Sequence, residues 1–146
     1  MTAQAERGRR MHGVAVIATT ILVLGFSSVA RGDEVKVTLS GSQEIPPVTT
    51  SASGNGTVYV GGDNAISGKV IVTGMSVTVA HIHEGAPSTN GPIIIPLVRT
   101  SENEWSVPAG ARLTDAQFES YKSGNLYFNI HSDAYKKGEI RGRIKP

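Results

Sequence analysis

"GTVYVGG" (residues 56–62) and "GKVIVTG" (68–74) decide the fold class. Each is a short β-branched run closed by glycine. A pleated strand turns successive side chains to opposite faces, so period-two runs bounded by turn residues read as strands. The reading extends back to "VKVTLSG" (35–41) and forward to "VTVAHIH" (77–83), "GPIIIPLVRT" (91–100) and "NEWSVPAG" (103–110). A C-terminal hairpin follows, "NLYFNIHS" (125–132) and "GEIRGRIKP" (138–146) joined by "DAYKK". Short strands at this spacing predict an all-β protein, a small antiparallel β-sandwich or barrel.

One segment breaks the rhythm. In "LTDAQFESYKSG" (113–124) Thr114 is placed to cap a helix start, Gln117 stands three residues on and Gly124 is placed to end it. This predicts a short helix over 115–123. Its few apolar residues, Ala116, Phe118 and Tyr121, suit a helix lying against one end of a sheet. The stretch "SQEIPPVTTSASGNG" (42–56) is expected to be an ordered loop or an edge, because Pro46 and Pro47 donate no ladder hydrogen bonds. Gly54 and Gly56 precede a strand instead of opening a helix, so they are read as a turn and not a phosphate cradle. Gly142, between Arg141 and Arg143, marks either a bulge or a close backbone approach.

The first thirty residues are of another kind. Arg7, Arg9 and Arg10 precede an apolar run from Val14 to Phe26, followed by "SSVARG" with small residues Ser28 and Ala30. That order reads as a signal peptide over 1–30, with the mature domain over 31–146. The apolar run falls short of the about 20 residues that span a bilayer, which favours cleavage over a retained anchor. The expected destination is the periplasm or the exterior, with no stable membrane span after cleavage. Removing the leader takes three Arg and one Glu with it, so the formal +2 of the 146-residue chain falls to zero. With no basic face left, nucleic acid is not an expected partner. Cysteine is absent, which excludes disulfides and thiolate ligands.

The chemistry lies in the histidines. His81 and His83 are two apart on a predicted strand, so they share a face with Cα atoms about 6.6–6.8 Å apart and can converge on one ion. If that face is outward, Ala80 and Ile82 turn to the core; Val77 and Val79 then need a cover, for which the stretch from Gly85 to Pro96 is available. His131 ends a strand in which Leu126, Phe128 and Ile130 face the core, which puts it on the other face with Tyr127 and Asn129. Three neutral imidazoles without a thiolate suit Zn²⁺ or Cu²⁺ and leave a position for water or a small ligand. Glu84, Asp133 and Glu139 are the candidates for an oxygen ligand or an acceptor behind a histidine. His12 lies in the leader. The alternative is that the histidines only bond to loops and neighbouring strands.

Other chemistries have less support. No Gly-x-Ser-x-Gly elbow is present. Glu102, Glu104 and Asp115 read as solvated loop charges, and Trp105 as a core anchor or a lid over one sheet end.

Three longer blocks carry a resemblance: "LSGSQEIPPVTTSASGNGTVYV", "VAHIHEGAPSTNGPIIIPL" and "WSVPAGARLTDAQFESYKSGNLYFNIHSDAYKKGEIRGRI". Together they resemble the successive blocks of a CHRD domain, the module named from chordin and also found singly in exported bacterial proteins. The most specific pieces are Ala80-His81-Ile82-His83, Asn129-Ile130-His131 and Gly138-Glu139-Ile140-Arg141-Gly142. "AHIHEGA" is also similar to the copper-ligand strand of Cu/Zn superoxide dismutases, which implies a Greek-key, superoxide-dismutase-like sandwich. That likeness carries over only to His81, His83 and His131, since the bridging histidine, the further zinc histidines, the disulfide and the late arginine motif are missing. Three functions therefore stay open: a module binding a copper or zinc ion, with another exported protein as a further partner; a copper-dependent redox enzyme of dismutase type; and a structural or adhesive domain. In the last, Glu139 and Arg141 would pair with loop charges and Asn129 would tie down a turn.

Overall fold

A computed structural model describes residues 32–146, so the expected signal peptide lies outside the described residues. Among them are nine strands and one α-helix. In chain order the strands are β1 (Glu34–Ser40), β2 (Ser53–Val60), β3 (Ile66–Thr73), β4 (Val79–Glu84), β5 (Ile93–Pro96), β6 (Val98–Arg99), β7 (Glu104–Ser106), β8 (Leu126–His131) and β9 (Ile140–Ile144); α1 (Asp115–Lys122) precedes β8. All pairings are antiparallel, in the order β5-β4-β8-β9-β1-β2-β3-β7-β6. The result is a nearly closed, barrel-like sheet, one of the two forms that the period-two runs allow.

Two halves meet at a narrow seam. β9 joins β1 through one residue pair, Ser40 and Arg141, whereas β1, β2 and β3 pair along their full lengths. The halves then pack face to face around Leu39, Val58, Val70, Ile82, Phe128, Ile130 and Ile140, all buried. Each such side chain taken fully out of water contributes about 1.5–3 kcal/mol.

The glycines of "SGNG" are inside β2, not in a turn before it. The reason is steric. A Cβ on Gly56 would stand 2.7 Å from the Phe128 ring, and one on Gly54 would stand 3.3 Å from both Ile140 and Leu39. These positions are bare so that β8 and β9 can lie close against β2. Gly142 is likewise a close approach: its register with Phe128 is unbroken, and a Cβ there would meet the Thr38 carbonyl oxygen at 2.6 Å.

The helix has the expected cap. Gln117 donates its backbone N–H to the Thr114 hydroxyl at 3.1 Å, and Thr114 donates its backbone N–H to the Gln117 side chain at 2.9 Å. Gly124, at φ +71°, follows its end. Tyr121 is its buried residue, and Ser120 donates a hydrogen bond to Glu84 at the end of β4, so α1 covers that end of the sheet.

Candidate metal centre

β4 and β8 are neighbours, and their register builds the site. Val79 pairs with His131, His81 with Asn129 and His83 with Tyr127. His131 is therefore diagonal to His81, within reach of a ring side chain. Ala80 and Ile82 are in the core, so the histidine face is the outer one. The ring centroids of His81 and His131 are 5.0 Å apart, those of His81 and His83 5.6 Å, and those of His83 and His131 6.3 Å.

Backbone carbonyls settle two of the tautomers, because a carbonyl can only accept. His83 donates from Nδ1 to the Gly91 carbonyl at 2.9 Å, and His131 donates from Nδ1 to the Lys136 carbonyl at 3.0 Å. Both rings thus present an Nε2 lone pair to the same space. That of His131 lies 3.2 Å from His81 Nδ1, and that of His83 is buried with no partner. One nitrogen from each ring falls within 4.8 Å of the others. An ion bound at about 2.0–2.1 Å holds any two nitrogens within roughly 4.2 Å, so side-chain shifts of under about 1 Å close the set. The donors fit a transition-metal ion. A ligating histidine whose other N–H is held by a backbone acceptor is also the usual arrangement around such ions.

The three rings are poor bases. Burial, then the neighbouring His131 and His83, pushes His81 down to about 4. Burial likewise lowers His83 and His131, against the opposing effect of their carbonyl bonds. The imidazoles are therefore neutral near pH 7, the form that coordinates.

Behind them is a buried polar layer that the strand pattern does not reveal. Every residue of β8 is buried, on both faces. The Tyr127 ring stacks on His83 at 5.1 Å, and its hydroxyl accepts from the Gly91 N–H at 2.9 Å. Arg141 lies 4.3 Å from the Tyr127 ring centroid and pairs with Glu44 at 3.0 Å, both side chains 3% exposed. Asn129 donates to the same Glu44 carboxylate at 3.5 Å. Gly138, at φ +124°, passes directly over Asn129 and Glu44, where a Cβ would be 2.7 Å from Glu44 Oε1. A cavity of about 730 Å³ opens beside this layer, between the Ile45–Val48 loop and residues 133–138, with His83 and Tyr127 in its wall.

Several expectations need correction. Val79 remains 44% exposed; the Gly85–Pro96 stretch does not cover it, because residues 93–96 are spent as β5 on the far edge of β4, where Ile93 pairs with His83 and Pro96 with His81, while Gly91 accepts from the His83 ring. None of the three candidate acids reaches a histidine. Glu84 accepts from Ser120, Asp133 pairs with Lys136 at 3.7 Å, and Glu139 accepts from Thr50 at 2.6 Å and Ser132 at 2.5 Å. Glu139 thus bonds hydroxyls and not the loop charge expected of it, while Arg141 does find one in Glu44. Glu104 belongs to β7, where it pairs with Lys69 at 2.7 Å, and Trp105 beside it is a core residue.

The model of the CHRD domain matches residues 35–144, almost the whole described chain. The protein belongs to the CHRD domain family. No curated protein and no solved structure matches it. In this CHRD domain the His-Ile-His strand and the strand ending Asn-Ile-His are adjacent, so two of the most specific sequence blocks meet at one place. The third, Gly138 to Gly142, supplies the glycine, the buried arginine and the close strand contact behind it. No helix among the described residues is long and apolar enough to cross a membrane.

Proposed function

We propose that this CHRD domain is an exported metal-binding module, in which His81, His83 and His131 hold one copper or zinc ion. The observation that carries the reading is the convergence of three imidazole nitrogens from two strands, with His83 Nε2 buried and unpartnered. A buried polar atom without a partner costs about 1–3 kcal/mol, and an ion at this point would offset that cost. Two of the rings are fixed by backbone carbonyls, so coordination needs little reordering.

Equilibrium dialysis of the purified protein against Cu²⁺ and Zn²⁺ tests it. One ion per chain is expected, lost in His81→Ala and in His131→Ala while the circular dichroism of the sheet is unchanged. Uptake that survives both substitutions contradicts the reading.

A further inference from the structure

We infer that the three-histidine centre selects a monovalent copper ion, Cu(I), over divalent ions; this rests on the metal-binding reading above. The argument is one of charge. The cluster contains histidines alone, so its ligands bring no negative charge to the ion. Of the acids near it in the sequence, Glu84 accepts from Ser120 and Glu139 from Thr50 and Ser132, while Asp133 is an exposed side chain 3.7 Å from Lys136. Two guanidinium groups stand close to the cluster. Arg141 and Arg143 stand 4.3 and 5.4 Å from the centroid of Tyr127, the ring stacked on His83. Glu44 balances Arg141 at 3.0 Å, while Arg143 bonds to the carbonyls of Gly85, Ala86 and Gly124.

The desolvation cost of an ion grows with the square of its charge, so a divalent ion of similar size loses roughly four times as much hydration as a monovalent one. A site that supplies no anion repays the smaller cost more easily. Coordination number points the same way. On three histidines Zn²⁺ still needs a water or another ligand in a fourth position, whereas Cu(I), with a filled d shell and one positive charge, is satisfied by three nitrogen donors. His83 and His131 offer Nε2 and His81 offers Nδ1, three donors and no more.

Val79 gives a variant that supplies the missing anion. It faces outward on the strand of His81, pairs directly with His131 across the ladder and is half exposed. Val79→Asp therefore places a carboxylate beside the cluster without entering the core. The experiment is an anaerobic competition for Cu(I), supplied as its acetonitrile complex, between the purified protein and bathocuproine disulfonate, repeated with Zn²⁺ in about hundredfold excess. Wild-type protein is expected to retain one Cu(I) per chain against the Zn²⁺. Val79→Asp is expected to shift the preference toward Zn²⁺ by about tenfold or more. Displacement of Cu(I) by Zn²⁺ from the wild type, with one Zn²⁺ then bound through the histidines, overturns the selectivity and leaves the metal-binding reading intact. Failure to bind either ion overturns both.

Discussion

The histidines act as a group because of what holds each ring. His83 and His131 have their Nδ1 protons fixed by backbone carbonyls, and His81 Nδ1 lies 3.2 Å from His131 Nε2. The lowered basicity has a consequence that can be measured without metal. The ordinary value for histidine is 6.5, and in the folded protein His81 falls to about 4, with burial the largest cause. Between those values the unfolded chain binds more protons than the native one, so stability rises with pH there and is lost as pH falls from about 6.5 towards 4. His83 and His131 are lowered too, which adds to the same slope. Urea unfolding of the metal-free protein across that window is expected to show the decline, and His81→Gln to make it shallower. A flat profile, identical in both proteins, contradicts the geometry. At this scale the three candidate residues are legible in the sequence, since residue type and a spacing of two suffice to name His81 and His83, and a second strand ending in histidine adds His131. The sequence did not carry Glu44, nor the burial of Tyr127 and Arg141. They lie on an outward strand face and are covered by loops that return over it: Glu44 pairs with Arg141, Thr89 and Asn90 accept from Arg141, and Gly91 donates to Tyr127.

The elements follow from local rules, with one exception that has a tertiary cause. Alternation and glycine closure placed the strands, and a hydroxyl three residues before a glutamine placed α1. β2, however, starts three residues earlier than its β-branched run, because Ser53 to Gly56 pair with both β1 and β3 despite a composition typical of turns. Gly54 and Gly56 are unfavourable for a strand taken alone. They are needed because Phe128 and Ile140 occupy the space their side chains would take. Gly56→Ala is thus expected to destabilise the fold by about 1–3 kcal/mol through overpacking. In the Phe128→Leu background its cost should shrink, giving a double-mutant cycle well away from additivity. Additive effects would place Phe128 elsewhere.

For the whole molecule, the two halves of the sheet meet at a single residue pair, and the polar layer of Glu44, Asn129 and Arg141 stands next to that seam. Glu44 and Arg141 are far apart in the chain, and a carboxylate or guanidinium deep inside a protein is stable only as a paired group. This layer ties the loop after β1 to β8 and β9. Its neighbours Tyr127 and Gly91 in turn position His83. Fold class was legible because period-two alternation is local. The site was legible only as a set of residues, because the meeting of β4 and β8 depends on which strands pair and in what register. A slip of one residue between them would turn His131 to the opposite face from the other two. The most direct test is therefore spatial: the anomalous-scattering map of a crystal of the copper-loaded protein. One ion is expected within about 2.0–2.2 Å of His81 Nδ1, His83 Nε2 and His131 Nε2. A fully loaded protein whose copper lies away from these atoms, or whose His131 ring points out of the cluster, would contradict the account.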